Sequence, residues 1–540
     1  MTRTALVFLF VLLTAAFAGG AASGQASEGG SAGLAVPARH TADQAGDSKI
    51  GLTELLRVIQ FFNSSGFHCQ AGTEDGYNPG PGDTSCGVHA SDYAPQDWQV
   101  SLSELLRLIQ FFNSTGYFVC EGAVPASEDG YCAGQRKNVV FLLLDALRAD
   151  RVGGTRNGME VSPLMASFAE GGARFMQAIS PSSWTRPSMV ALFTGYHADQ
   201  FRGGAGTPHA DRYIIPDSYQ TMVEWLVGRG YDAWAVQTNG NCVGEFGFTQ
   251  GYAPGHWEFL EGAIAANVTD AALAHVSQWS EPFFLYLHYF DPHGPYAPPA
   301  AYQDIFGAQP ELTPSDRDHL SPANYGAYLT ETYLAWVNHT APPSPLSPNG
   351  VEAMQYRYDS EVRYLDVELM RLIGQIQTRY PNTVFVITAD HGEALMERGI
   401  YGHGHTLFEE QLRVPLIVQG PGVYPVEVEH PVETLGLLPA LAYLLNLPPE
   451  PDWKGRNWFT DSGQAPIFSH ASMDYASVDN EVDSVSQGSL RYIEQNIAAG
   501  PQLYDLATDP GELNNLAASQ PGVVAAMQAL LAEHKASLTP

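Results

Sequence analysis

Asn138-Val-Val-Phe-Leu-Leu-Leu-Asp145 is the stretch on which the fold turns. Six apolar residues in succession, ended by a carboxylate, read as a short strand buried on both faces, as in a parallel sheet. Pro282-Phe-Phe-Leu-Tyr-Leu-His288 and Asn382-Thr-Val-Phe-Val-Ile-Thr388 repeat the pattern. From Arg136 onward such runs alternate with helical patterns, which predicts an α/β sheet with helices on both faces. In sheets of this kind chemistry gathers at the carboxyl ends of strands. All three runs lead directly into residues that can bind metal: Asp145, the His288 to His293 segment, and Asp390-His391.

The chain of 540 residues is long enough for more than one domain, and 45% hydrophobic residues can build a large core. Its 26 basic against 58 acidic residues leave a net charge of −32, which excludes the basic footprint of nucleic-acid binding. Arg3, an apolar run over 5–17 and Ala16-Phe17-Ala18 predict a cleaved signal peptide at 1–18, hence a secreted, periplasmic or cell-surface protein. A Gly/Ser/Ala-rich leader follows at 19–39. Five cysteines are present. Cys69 with Cys86 and Cys120 with Cys132 are one of three possible connectivities for the first four, and Cys242 is left over.

Residues 40–135 contain an internal repeat. Leu-Thr-Glu-Leu-Leu-Arg-Val-Ile-Gln-Phe-Phe-Asn from Leu52 recurs almost unchanged from Leu102, with apolar residues at helical spacing and a glycine after each copy. Before the first helix, Asp43, Asp47, Ile50 and Glu54 occupy positions 1, 5, 8 and 12 of a twelve-residue loop. That spacing resembles the calcium loop of EF-hands and dockerin modules, although Ala45 replaces one oxygen ligand and Ser48 the usual turn glycine. The second copy, 92–104, carries one extra residue. The other reading is a pair of helices whose acidic residues cap them. Such a module suits attachment to a protein or cell surface.

Over 136–540 the resemblance is to the sulfatase family of the alkaline-phosphatase superfamily. It rests on the strand ending Asp145-Ala-Leu-Arg148-Ala-Asp150, on Trp184-Thr-Arg-Pro-Ser-Met189, and on His288-Tyr-Phe-Asp-Pro-His293-Gly-Pro-Tyr296. Thr388-Ala-Asp-His-Gly-Glu393, Gly402-His-Gly-His405-Thr-Leu-Phe-Glu-Glu and Leu503-Tyr-Asp-Leu-Ala-Thr-Asp-Pro-Gly-Glu512 follow in order. The resemblance implies an alkaline-phosphatase-like α/β fold with a mostly parallel central sheet and a small C-terminal subdomain. It implies one divalent metal, Ca²⁺, Mg²⁺ or Mn²⁺, held by Asp145, Thr185, Asp390 and His391. Thr185 stands where sulfatases carry the residue that becomes formylglycine. His293 and His403 or His405 stand where the family contacts the ester or protonates the leaving group, one of the latter two facing the site. Asn239 and Arg186 are further polar candidates.

Three departures stand out. Thr185 is neither Cys nor Ser, Met189 replaces a supporting Arg, and Ala146 replaces a second Asp. Together they shift the expectation from sulfate toward phosphate esters of glycans, lipids or small molecules, through in-line attack by Thr185. A phosphoglycerol-type phosphotransferase and a decayed anion-binding protein are the alternatives. Thr185 can equally cap the helix that begins near Pro187, and His293 can stabilise a turn. Glu409 with Arg413, His197 and His288 read as structural. Residues 312–350, rich in Pro, Ser and Asn, read as an irregular loop on the alcohol side of the pocket.

Overall fold

A computed structural model describes residues 40–45, 48–93, 96–113, 117–119, 131–133, 136–203, 207, 211–338, 340, 345–475, 478–496 and 500–538. The signal peptide, the leader, Asp47 and the expected Cys120–Cys132 pairing lie outside these residues. No described helix is long and apolar enough to cross a membrane.

The repeat folds as a pair. Helix α1 (Leu52–Asn63) buries Leu55, Val58 and Phe61, and α2 (Leu102–Asn113) buries Leu105, Leu108 and Phe111. These are the same three positions of each copy, so the helices share one core, joined by Ile50, Phe67, Val100 and Tyr117. Cys69 and Cys86 form a disulfide. The loop before α1 is closed by its own carboxylates. Asp43 accepts from the Ser48 N–H at 3.0 Å and the Tyr117 hydroxyl at 2.7 Å. Glu54 accepts from the N–H groups of Gln44, Ala45 and Gly51. Asp92 and Glu104 repeat the arrangement in the second copy.

The main sheet has nine strands: β1 (Asn138–Leu144), β2 (Ala173–Ile179), β3 (Asp232–Gln237), β4 (Trp257–Phe259), β5 (Phe283–Tyr289), β6 (Thr383–Thr388), β7 (Arg413–Val414), β8 (Leu416–Gln419) and β9 (Val426–Glu433). Their order is β4-β3-β5-β1-β6-β8-β2-β7, with β9 also paired to β2. The run from β4 to β6 is parallel throughout. The pairings of β6 with β8 and of β2 with β7 and β8 are antiparallel, and β9 runs parallel to β2. The sheet is therefore mixed, with a parallel centre. The three apolar stretches of the sequence are its central neighbours β5, β1 and β6, and every residue of each is buried.

Helices cover both faces. One layer holds α3 (Pro163–Glu170), α6 (Ala265–His275) and the long α8 (Pro348–Arg379). The other holds α4 (Thr185–Thr194), α5 (Met222–Val227) and α9 (Leu437–Leu445). Between α6 and α8 lies a difference from the sequence reading. Residues 312–350 are not an irregular loop: a short helix (Pro314–His319) and α7 (Tyr325–Val337) form there. Tyr328, Leu329, Thr332 and Tyr333 of α7 are buried at helical spacing. The Pro/Ser/Asn-rich flanks obscure that pattern in the sequence.

After α9 the chain builds an antiparallel sheet of β10 (Ile467–Tyr475), β11 (Val478–Gln487), β12 (Leu490–Gln495) and β13 (Gln502–Asp505). Helix α10 (Pro521–Ser537) packs on β11 and β12. The seam with the main domain is polar. The fully buried Arg491 reaches Glu409 at 2.8 Å and Glu512 at 3.3 Å. Arg413 also lies 3.4 Å from Glu409, so the expected structural pair is part of a larger network. His470 joins Asp483 at 2.6 Å and the Tyr213 hydroxyl at 2.9 Å.

Candidate active site and metal centre

The carboxyl ends of β1 and β6 are adjacent because those strands are paired, and this brings Asp145 beside Asp390 and His391. One atom from each of the three lies within 4.8 Å of the others, and all three residues are fully buried. Asp390 Oδ1 accepts from the backbone N–H of Ala146 (3.2 Å) and of His391 (3.0 Å). Asp145 Oδ2 accepts from Asn239 Nδ2 at 2.6 Å and His288 Nε2 at 3.1 Å. The remaining oxygens, Asp145 Oδ1 and Asp390 Oδ2, receive no hydrogen bond. A buried carboxylate oxygen without a donor is costly. Two of them converging beside an imidazole are the chemistry of a divalent cation site.

The histidine fits that role in detail. His391 Nδ1 donates to the Gly392 carbonyl at 2.8 Å, which leaves Nε2 toward the two aspartates, 3.6 Å from Asp145 Oδ1 and 3.3 Å from Asp390 Oδ2. Burial lowers its pKa, keeping the ring neutral with a lone pair on Nε2. Asp145 is held ionised: burial opposes this, but His293, His288 and His391 together prevail. Asp390 moves the other way, raised by burial and then by Asp145 beside it. The residues present thus fit one divalent ion.

Thr185 is the first residue of α4, and its hydroxyl meets this cluster. Oγ1 lies 3.3 Å from His391 Nε2 and 3.3 Å from Asn239 Nδ2. Every residue of α4 is buried. Ser188 of the helix donates to the Asp390 carbonyl at 2.6 Å, and Ser180 before it donates to the same oxygen. The start of α4 is thereby tied to the Asp390–His391 segment. The helix ends at Gly195, whose φ of 75° and contact with Trp453 leave no room for a side chain.

Asn239 is oriented by its own turn, since its Oδ1 accepts from the Asn241 N–H at 2.8 Å. The amide is then fixed as a donor shared between Asp145 and Thr185. Arg186 is turned elsewhere: its guanidinium lies 3.6 Å over the Phe246 ring and 3.1 Å from Asn241 Oδ1. Met189 is fully buried in the core, a packing residue where the resemblance expects an arginine. Ala146, where a second Asp was expected, has φ of 60° and spends its N–H on Asp390.

Three more histidines complete the group. The ring of His403 is 4.2 Å from that of His391 and 4.9 Å from that of His293. His403 Nδ1 donates to the buried Glu393 carboxylate at 2.9 Å. Burial pulls its pKa down, but Glu393 wins and holds it above the usual value. His293 Nδ1 donates to the Gly294 carbonyl at 2.6 Å. His405 differs from both. It is packed 4.5 Å from the Tyr333 ring, and burial, then His403, pushes its pKa to about 3. Its carbonyl is held from the C-terminal sheet by Asn480 (2.9 Å) and Gln495 (3.1 Å). Of the two glycine-flanked histidines, His403 faces the cluster and His405 anchors the turn. His288, read as structural from the sequence, instead bonds directly to Asp145, with Tyr286 fixing its other nitrogen at 2.9 Å. The pairing of β5 with β1 brings it there, which the sequence alone does not show.

Comparison with known proteins gives a consistent result. A family model described as Sulfatase matches residues 137–447, more than half of the chain. An uncharacterised sulfatase of Escherichia coli K12 is 22% identical over 428 residues, covering 71% of this chain and 83% of that protein. A Δ4,5-hexuronate-2-O-sulfatase of Bacteroides thetaiotaomicron is 24% identical over 446 residues, covering 75% and 89%. Choline-sulfatase of Rhizobium meliloti is 28% identical over 258 residues, 45% of this chain and 48% of that one. Among solved structures, a 2-O GAG sulfatase superposes with a TM-score of 0.60 at 19% identity, covering 75% of this chain and 93% of its own. The phosphonate monoester hydrolase of Agrobacterium radiobacter gives 0.57 at 16% identity, with 75% and 96% covered.

Proposed function

This chain belongs to the sulfatase family and is a sulfate-ester hydrolase, and on that premise we propose that it works through Thr185 as nucleophile. The observation that carries the reading is the hydroxyl of Thr185 lying 3.3 Å from both His391 Nε2 and Asn239 Nδ2, beside two donorless aspartate oxygens. Asp145, Asp390, His391 and Thr185 would hold the metal. When bound there, a divalent cation neutralises the ester's anionic oxygens and favours the ionised form of a hydroxyl.

The chain's own groups supply the rest. Asn239 donates to Asp145 Oδ2 and toward Thr185 Oγ1, which holds the hydroxyl beside the carboxylate. The Thr185 hydroxyl gives up its proton to solvent and its oxygen attacks sulfur in line, the bond from sulfur to the leaving oxygen breaks, and the sulfuryl group is carried on Thr185. His403, protonated through Glu393, gives its proton to the leaving alkoxide. Water then cleaves the threonine ester and releases sulfate. A threonine cannot form the aldehyde hydrate that formylglycine provides, so the ester must be broken by water rather than by collapse of a geminal diol.

The experiment is turnover of matched aryl sulfate, phosphate and phosphonate esters by chelated protein with Ca²⁺, Mg²⁺ or Mn²⁺ restored. Sulfate release lost by at least about 10³-fold in Thr185→Ala, with part retained in Thr185→Ser, is the expected result. Thr185 donates and accepts only long hydrogen bonds, so Thr185→Ala costs about 1–2 kcal/mol of stability at most and the variant folds. Undiminished activity in Thr185→Ala refutes the nucleophile. Preference for the phosphate ester would favour the phosphotransferase-type reading, and metal binding without turnover of any ester would favour a decayed anion-binding protein.

The exported location and surface attachment through 40–135 belong to the same proposal, motivated by the signal-like start and the repeats. Calcium at Asp43, Asp47 and Glu54 is tested by melting that module within the full chain in EDTA and again with Ca²⁺ restored. Unchanged unfolding removes the claim, and would leave Asp43 and Glu54 with the capping roles their backbone partners support.

A further inference from the structure

His293 and His403 sit on two turns that are far apart in sequence, and one helix touches both. Helix α7 lays Tyr325 against the turn that follows His293: a Cβ placed on Gly294 would lie 2.3 Å from the Tyr325 ring. Four residues further along, Leu329 lies against the turn that precedes His403. A Cβ on Gly402 would lie 2.8 Å from Leu329 Cδ1, and the φ of 89° there already disfavours a side chain. One more turn along, the Tyr333 ring packs 4.5 Å from His405. The three contacts fall at i, i+4 and i+8, along one stripe of the helix. Tyr325 and Tyr328 also pack their rings on Tyr401, at 5.5 and 5.9 Å. The helix is held in turn by the Tyr328 hydroxyl, which accepts from the Leu346 N–H at 3.1 Å.

We propose that α7 is the positioning element for the leaving-group side of the active site, with Tyr325, Leu329 and Tyr333 setting the spacing of His293 and His403 across the ester oxygen. The two glycines serve this contact, since a Cβ at either would force the Tyr325 ring or the Leu329 side chain to move from its turn. Tyr325, Leu329 and Tyr333 are positioning residues: they act through the histidines and need not touch substrate. The proposal rests on the reading of His403 as the group that protonates the leaving oxygen, and its test is built to separate the two.

Proton donation matters little when the leaving group is already a stable anion and greatly when it is an alkoxide. Leu329→Ala and Tyr333→Leu should therefore lower kcat for an alkyl or sugar sulfate by about tenfold or more relative to the loss for nitrophenyl sulfate, with KM for both little changed. Gly402→Ala should do the same more severely. If it does not fold, the two helix variants carry the test. Tyr333→Phe, which keeps the ring, should restore the native ratio. Equal losses on both esters, or a ratio that Tyr333→Phe fails to restore, overturns the positioning role while leaving the reaction intact. His403→Gln gives the independent control. If that variant shows no selective loss on the alkyl ester, the acid assignment itself is wrong and the inference falls with it.

Discussion

The proposed metal site predicts that adding a divalent cation stabilises the fold, by an amount set by its saturation. Asp145 Oδ1 and Asp390 Oδ2 are fully buried with no donor, each a cost of about 1–3 kcal/mol. A cation relieves both, and at 100-fold to 1,000-fold over its Kd it stabilises by about 2.7–4.1 kcal/mol. For a domain of roughly 400 residues unfolding with about 2 cal/mol/K per residue, that is a rise of about 3–5 °C. Differential scanning fluorimetry of EDTA-treated protein, titrated with Mg²⁺, Mn²⁺ or Ca²⁺, measures it. The shift should vanish in Asp390→Asn, which separates it from any effect of calcium on the N-terminal pair. Its pH dependence has a definite sign. The Asp390 carboxyl is raised in the chelated fold, by burial and then by Asp145, so its ionisation opposes folding as pH climbs above the unfolded value near 3.9. A proton competes with the cation there, so the melting shift shrinks as pH falls through the raised carboxyl value. A shift of equal size in Asp390→Asn, or none with any of the three ions, refutes the metal site.

Arg491→Met should destabilise the protein by about 3–5 kcal/mol in urea unfolding. It leaves Glu409 and the fully buried Glu512 facing each other without their shared cation, and a loss under 1 kcal/mol would show that the network is dispensable. At the other end of the same seam, His470 is raised above its ordinary value because the Asp483 carboxylate outweighs burial. Its contribution is fully present below about pH 6.5 and is lost as pH rises through the raised folded-state value. Asp483 is lowered: burial opposes this, but His470 and Lys535 prevail. Its contribution holds above about pH 4 and is lost in stronger acid. Melting against pH should therefore decline on the alkaline side, and His470→Gln should flatten that decline.

The legible and illegible parts of the site divide along a physical line. Asp145, Asp390 and His391 could be read because each directly follows a run of apolar residues that can only be a buried strand, and strand ends are where such sheets place ligands. Thr185 was legible as the start of a helix opened by Pro187. The role of His288 was not, because a histidine inside an apolar stretch has the same sequence appearance whether it packs or bonds to a ligand. Its bond to Asp145 depends on β5 pairing with β1 in one register. The choice between His403 and His405 was equally closed to the sequence. Both adjoin Gly404, and their pKa values move in opposite directions: burial opposes but the Glu393 carboxylate prevails and raises His403, while burial and then His403 lower His405. Helix α7 was obscured because its flanks carry the turn-forming residues by which loops are recognised.

What the sequence by itself determined is the family, the parallel centre of the sheet, the paired N-terminal helices and the residues that could bind metal. All of these follow from local period and short-range motif, which a chain carries in its order of residues. What only the tertiary structure decided is which of those residues meet. The donorless oxygens of Asp145 and Asp390, the bond of Asn239 to Asp145, the docking of α7 on two distant turns and the grip of Asn480 and Gln495 on His405 all join segments far apart in the chain. Burial and charge act through space, so the ionisation and orientation of each group are set by neighbours that its own sequence does not contain.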